Sequence, residues 1–502
     1  MSMISAILAT SHSDATVVKA KSLELAESSI ADLQAAMSRG NLTSVELVNA
    51  YLARIKSIDK FGPKINSIIE LNPDAKAIAA ELDRERKTKG SRGPLHGIPV
   101  LLKDNIATAD PMQTTAGSLA LLGAIAAKDA FIVQKLRDAG AIILGKTNLS
   151  EWANIRSTRA TSGSSSGSAS SMAASLATMA VGTETDGSIT SPASLASLVG
   201  IKPTVGLVSR AGIIPIAPSQ DTAGPMTRSV ADAAALLTVL AGTDAQDPAT
   251  RDADQQRQDY SRFLDLNGLR GKRIGIVRSQ FNGQSDLVAG VVEAELAVLT
   301  AQGAVLVEVA EIPNTAKYAD SELTVLLFEL KASLPRYLAT YAPASAIKSL
   351  EDAIAFNQKN SAKEMSHFGQ ELFVSAQAKG DLDDQEYKDA LANNLKFSRE
   401  QGIDKVLTEN QLDALVAPTG ELAWLTDFIH GDSSGNSFTT PAAVSGYPHI
   451  TVPAGFVKGL PCGISFVGKA WSEPTLIAMA YAYEQASRRR RPPSYIRSVN
   501  PL

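Results

Sequence analysis

Leu95-His-Gly-Ile-Pro-Val-Leu-Leu-Lys103-Asp-Asn105 decides the class of fold. Its middle, Gly97–Leu102, is an unbroken apolar run of strand length, as expected of a strand buried on both faces. Working outward, Ala130–Ala139 carries a helical pattern that stops at Gly140, and Ala141–Leu144 is a second apolar strand. The same beat returns downstream, with a strand at Arg273–Val277, a helix at Leu287–Ala301 stopped by Gly303, and a strand at Val305–Val309. Ala414–Ala417, Ile450–Val452 and Ile464–Val467 add short strands. Ser472 opens a helix through Tyr483, with Pro474 in its first turn, where proline is tolerated. Strands alternating with helices predict an α/β fold with helices on both faces of one sheet.

Toward the N-terminus, Ser29 and Asp32 open a helix that Gly40 closes, and Thr43 with Glu46 forms a capping box. Val48, Tyr51, Leu52 and Ile55 follow at the spacing of one buried helix face. Residues 320–402 read as helical and polar, and extra packing is the preferred reading over a substrate wall. Asp83–Lys89 and the basic tail Arg488–Arg491 read as solvated charge.

Composition excludes several classes of function. Lys+Arg is 48 and Asp+Glu is 52, so the net charge is −4, without the basic footprint of a nucleic-acid binder. Charged residues at 20% and hydrophobic ones at 44% exclude bulk disorder. The single cysteine, Cys462, excludes an internal disulfide and a cysteine-based zinc site. None of the five histidines shows metal-ligand spacing, and no apolar stretch is long enough to span a bilayer. Met1–Ala9 is apolar, but the first basic residue is Lys19, so the positive start of a signal peptide is missing. A reducing, cytoplasmic compartment fits best, with export left open.

Two motif matches fail on physical context. Gly140-Ala-Ile-Ile-Leu-Gly145-Lys146-Thr147 satisfies the P-loop pattern, but a helix precedes it and its middle is a buried strand, so no phosphate cradle forms. Gly163-Ser-Ser165-Ser-Gly167 satisfies the nucleophile elbow of α/β-hydrolases, but polar Arg156–Ser162 is no buried strand to carry it. An esterase with Ser165 as nucleophile stays open as an alternative.

Three segments stand apart: the lysine strand already quoted, the run Ser162-Gly-Ser164-Ser-Ser-Gly-Ser168, and Gly182-Thr-Glu-Thr-Asp-Gly-Ser188-Ile189. Taken singly, they read as a solvated lysine head, a linker and a turn. In this order they resemble the amidase signature family. Gly145–Asn154, Lys202–Arg210, Ser219–Pro225, Leu415–Pro418, Gly446-Tyr-Pro448 and Ala470-Trp-Ser-Glu-Pro474 extend the likeness to roughly residues 30–493. Phe368–Phe373 and the Trp-Ser-Glu-Pro stretch look most like the peptide amidases within it.

The resemblance implies a large mixed, mostly parallel twisted sheet in one domain over 29–493, with a helical insertion at about 320–402. An N-terminal extension, 1–28, and a tail, 494–502, flank it. It also implies a Ser–cis-Ser–Lys triad: Lys103 as base, Ser164 as the bridging serine after a cis bond, and Ser188 as nucleophile. The backbone N–H groups of Thr185, Asp186, Gly187 and Ser188 are the implied oxyanion hole.

Serine is a weak nucleophile and needs an adjacent base, and the resemblance makes that base the lysine, Lys103. A free lysine titrates near 10.4, so burial against Gly97–Leu102 must bring it toward 7–8, a cost of roughly 4 kcal/mol. The implied reaction is hydrolysis of a small-molecule or peptide amide with release of ammonia and no metal or organic cofactor. The sequence specifies neither the acyl group nor the oligomeric state.

The chain departs from the family between Asn154 and Ser164, where relatives carry a longer loop. Ser162 and Ser191 stand where relatives often have a small residue or cysteine. A catalytically impaired member is therefore a second alternative.

Overall fold

The computed structural model describes residues 25–156, 163–425, 427 and 435–496. Met1–Ala9, Ser162, His430 and most of the N-terminal extension and C-terminal tail lie outside the described residues.

Among the described residues eleven strands form one sheet: β1 (Ile68–Leu71), β2 (Pro99–Lys103), β3 (Ile142–Thr147), β4 (Met179–Glu184), β5 (Val199–Lys202), β6 (Thr222–Thr227), β7 (Arg273–Val277), β8 (Val305–Val309), β9 (Ala414–Pro418), β10 (His449–Val457) and β11 (Leu460–Val467). Their order is β1-β3-β2-β4-β6-β5-β10-β11-β9-β7-β8. Strands from late in the chain thus lie between β5 and β7, and one sheet is fed from both halves of the sequence.

The apolar run behind β2 does what its composition dictates. All five residues, Pro99–Lys103, are buried, and the strand pairs in parallel with β3 on one side and β4 on the other. The sheet is mixed, but the balance of directions is not the mostly parallel one expected. Among the described residues six pairings are antiparallel and four are parallel. The physical reason lies in the connections. β10 and β11 are joined by the two residues Lys458 and Gly459, and so short a link forces an antiparallel hairpin. β6 runs antiparallel to both of its neighbours, β4 and β5.

The P-loop-like stretch is part of β3, all of it buried. Lys146 donates to the Ile106 carbonyl at 2.7 Å and to Thr114 Oγ1 at 2.9 Å, so its ammonium is spent on the fold. The two expected N-terminal caps form as full capping boxes on Ile30–Ser38 and Ser44–Arg54. The last helix runs past Tyr483, over Glu473–Ser487, and Ser472 makes no side-chain cap. Cys462 is buried in β11, where burial pushes its thiol up to about 12, out of reactive range. No helix among the described residues is long and apolar enough to cross a membrane.

The basic tail is not uniformly solvated. Arg490 has a side chain only 14% exposed, because it donates to both Glu27 oxygens, at 2.9 and 3.1 Å, and to the carbonyls of Ala173, Ala196 and Ser197. It ties the C-terminal segment to residues just ahead of the first helix. Arg490→Ala removes the charged donor of the half-buried Glu27 carboxylate, which keeps only Ser175 Oγ among the described residues, and a donor to three carbonyls. It is expected to lower stability by about 2 kcal/mol, read from a denaturant midpoint, with turnover per folded molecule unchanged.

Candidate active site

β2 and β4 are parallel neighbours, so their carboxyl ends open on the same edge of the sheet, where α/β folds place ligands. Lys103 is the last residue of β2, and Glu184 ends β4 and leads into the turn Thr185–Ser188. The third segment, the serine run, is no linker. Ser166–Ala173 is a helix, and Ser168 Oγ hydrogen-bonds Thr147 Oγ1 at 2.7 Å and donates to the Val181 carbonyl. Gly182 makes room for it, since a Cβ there would lie 2.9 Å from Ser165 Oγ and 2.7 Å from Met226 Sδ.

The Gly163–Ser164 peptide bond is cis. Ser164 is fully buried, and its carbonyl accepts from the Ser150 N–H at 3.1 Å. Lys103 is fully buried as well. Its Nζ lies 2.7 Å from Ser164 Oγ, 2.9 Å from Thr183 Oγ1 and 3.2 Å from the Thr183 carbonyl. Burial pushes the ammonium down to about 7, against the opposing pull of the Glu184 and Asp221 carboxylates. Ser188 and Ser164 line one small cavity together with Asn105, Ala153, Thr183–Thr185, Arg210, Ile213 and Asp221. It holds space of about 10 Å³, room for one water-sized group.

The turn before Ser188 is shaped to present its N–H groups. Gly187 has φ +74°, a region that favours glycine, and a Cβ there would lie 3.0 Å from Thr439 Oγ1. Among the described residues the N–H groups of Thr185, Asp186, Gly187 and Ser188 donate to no other group, whereas those of Ile189 and Thr190 go to Glu184. Four donors on consecutive residues can meet a developing oxyanion.

Ser165, the rival nucleophile, is engaged elsewhere. Its Oγ donates to the Thr183 carbonyl at 3.1 Å and accepts from the Thr183 N–H at 3.3 Å. His449, a histidine far along the chain that such an elbow would need as its base, hydrogen-bonds Ser465 across a hairpin and is pushed down to about 3 by burial and Lys202.

Sequence reasoning assigned no role to four residues that hold the site. Thr183 takes two contacts from Lys103 and one from Asn105 Nδ2 at 3.0 Å. Asp221 accepts from Thr185 Oγ1 at 2.5 Å and from the N–H groups of Ile216 and Ala217. Glu184 closes the turn before Ser188, accepting from the Ile189 N–H. All of them stand in the quoted motifs, which was the signal for them.

The helical stretch 320–402 does more than pack. The helix Thr315–Tyr341 supplies Arg336, Tyr337 and Tyr341 to a chamber of about 360 Å³. That chamber shares Arg210, Ile213 and Asp221 with the cavity over Ser188, so the helix is a wall of the approach. Tyr337 and Tyr341 are buried, so the helix packs against the domain with the same face that lines the chamber.

The shortened connection before Ser164 falls partly on 157–162, outside the described residues. Its described flank is tightly anchored. Arg156 donates to Glu151 at 2.9 Å and to Glu364 at 3.3 Å and lies over the Phe368 ring. Trp152, Ala153 and Asn154 all take positive φ, at 50°, 54° and 78°.

A family model described as Amidase matches residues 46–477. A probable amidase of Arabidopsis thaliana is 40% identical over 500 residues, covering 94% of this chain and 92% of that protein. The native peptide amidase of Stenotrophomonas maltophilia is 51% identical with a TM-score of 0.89, covering 94% of this chain and 99% of the other. An amidase family protein from Bacillus anthracis is 37% identical with a TM-score of 0.85, covering 94% and 93%.

Proposed function

The chain belongs to the amidase family, and from that premise we propose that it removes the C-terminal carboxamide of peptides through an acyl-enzyme on Ser188. Hydrolysis of amide C–N bonds is the activity of the family. The finer reading is supported by one observation: a fully buried lysine amine lies 2.7 Å from the Oγ of Ser164, and Ser164 lines one cavity with Ser188.

The contacts of Lys103 fit a neutral amine, which has two N–H bonds and one lone pair. The Thr183 carbonyl can only accept, and Thr183 Oγ1 is the second acceptor, so both N–H bonds have partners. The lone pair is then left facing the Ser164 hydroxyl. Ser188 passes its proton to Ser164 Oγ as Ser164 passes its own to Lys103 Nζ, and Ser188 Oγ bonds to the amide carbon. The carbonyl oxygen takes the negative charge and meets the N–H groups of the turn. The relay then runs backward. Lys103 returns the proton through Ser164 to the amide nitrogen, the C–N bond breaks and ammonia leaves. Water then attacks the ester carbon, giving up a proton through Ser164 to Lys103; the bond between the acyl carbon and Ser188 Oγ breaks as that proton returns to Ser188 Oγ, and the carboxylic acid is released.

A peptide substrate is supported by the 51% identity to a peptide amidase and by the chamber on the acyl side. A primary amide is supported by the water-sized recess, which matches an –NH₂ group. Ammonia release from a peptide carboxamide is expected to exceed methylamine release from its N-methyl amide by at least about 100-fold in kcat/KM, since an added methyl overfills the recess. Faster turnover of small aliphatic amides than of peptide amides overturns the substrate assignment. An inert protein supports instead the impaired-member reading, for which the run of positive φ at Trp152–Asn154 is the structural motive.

A further inference from the structure

One buried carboxylate borders the nucleophile and takes no part in the proton relay. Glu184 is 1% exposed at the end of β4. Its Oε2 accepts from the Ile189 N–H at 2.7 Å, the Thr190 N–H at 2.9 Å and Thr190 Oγ1 at 3.2 Å. These bonds close a loop over Thr185–Ser188, the four residues whose N–H groups are left for an oxyanion. Ser188 is fixed from its other side, where its carbonyl accepts from the Ser165 N–H at 3.2 Å.

Among the described residues no cation sits on the Glu184 oxygens: Lys202 is fully buried nearby, but its Nζ donates to the carbonyls of Pro203 and Tyr447. Burial raises the Glu184 carboxyl above the usual carboxylate range, against the opposing pull of Lys202 and the two N–H donors. Both N–H groups thus converge on one carboxyl oxygen without a competing cation.

We propose that Glu184 is a positioning residue: its carboxylate draws Ile189 and Thr190 back under the turn and so aims both the Ser188 hydroxyl and the N–H groups of Thr185–Ser188. The inference rests on the assignment of Ser188 as nucleophile. A loop merely stabilised by Glu184 would lose stability when it is changed. A loop aimed by it loses transition-state binding.

The test uses Glu184→Gln, which keeps the shape but replaces the carboxyl by an amide, and Glu184→Asp, one methylene too short to reach both N–H groups. Each is measured for kcat and KM on a peptide carboxamide, thermal midpoint, and affinity for a peptide aldehyde, whose hemiacetal places an oxyanion at the turn. The expected result is a roughly 10–100-fold loss of kcat with KM within about threefold, and aldehyde affinity falling by the same factor as kcat/KM. Aldehyde affinity within twofold of wild type in a folded variant overturns the proposal, whatever kcat does. Ser188→Ala is run alongside. If it stays active, the nucleophile assignment has failed. If it is inert while both Glu184 variants behave as wild type, only the role of Glu184 has failed. Should the glutamine variant not fold, the aspartate variant carries the same readouts.

Discussion

Ser188→Ala lowers kcat for ammonia release from a peptide carboxamide by about 10⁶-fold, the scale seen when a serine hydrolase loses its nucleophile. The loss is chemical rather than structural. Ser188 is buried, it ends a turn fixed by backbone bonds, and removing one oxygen disturbs neither Glu184 on Ile189 nor Ser165 on the Ser188 carbonyl. The turn keeps its N–H donors, so residual catalysis of about 10³–10⁴ over water remains from oxyanion stabilisation and binding. Ser165→Ala is the control. Its hydroxyl is bonded to the Thr183 backbone, and its loss is expected to cost about 1 kcal/mol of stability with turnover within about tenfold of wild type. Near-wild-type turnover by Ser188→Ala, or abolition by Ser165→Ala with Ser188 intact, removes the mechanism.

The parts of the fold legible in the sequence were those where local pattern and burial agree. β2, β7 and β9 are short, dominated by aliphatic residues and buried, and the two capping boxes satisfy their own helix ends. β6 defeats that logic. Thr222-Ala-Gly-Pro-Met-Thr227 has the Gly-Pro content of a turn, yet all six residues are buried between β4 and β5. Neighbouring strands override its propensity, which no local rule can register. β4 was hidden for a related reason, since its Gly182 and Thr183 are there for the serine helix and for Lys103 rather than for strand formation. Strand direction was illegible because it depends on the path between strands. In the site, Lys103, Ser164 and Ser188 are marked by motif position. Thr183, Glu184 and Asp221 stand in the same motifs, but their roles exist only once β2, β4 and the 216–221 turn converge.

Lys103→Met is expected to abolish activity and to stabilise the protein near neutral pH. A lysine held at about 7 by burial is charged below that value and cannot accept the proton of Ser164. Wild-type kcat/KM should therefore rise about tenfold per pH unit up to an apparent value near 7 and level off above it. Methionine has no lone pair of use there, and kcat should fall by at least about 10⁴-fold at every pH. The stability effect has the opposite sign. In the unfolded chain the lysine titrates near 10.5, so between about 7 and 10.5 the unfolded state holds a proton that the folded state lacks, and stability rises with pH across that window. At pH 7 the burial of this group costs roughly 4 kcal/mol. Methionine fills similar space without a charge and gives up three contacts worth about 1 kcal/mol or less each. Asn105 still donates to Thr183 Oγ1, and Ser165 still donates to the Thr183 carbonyl, so neither acceptor is orphaned. The variant should thus be about 1–3 kcal/mol more stable at pH 7 and lose that advantage by about pH 10, where the burial cost has fallen to roughly 1 kcal/mol and the lost contacts offset it. Denaturant midpoints measured against pH decide it. A variant less stable than wild type at pH 7, with a gap independent of pH, would mean that Lys103 is an ordinary charged residue and the proton relay has no base.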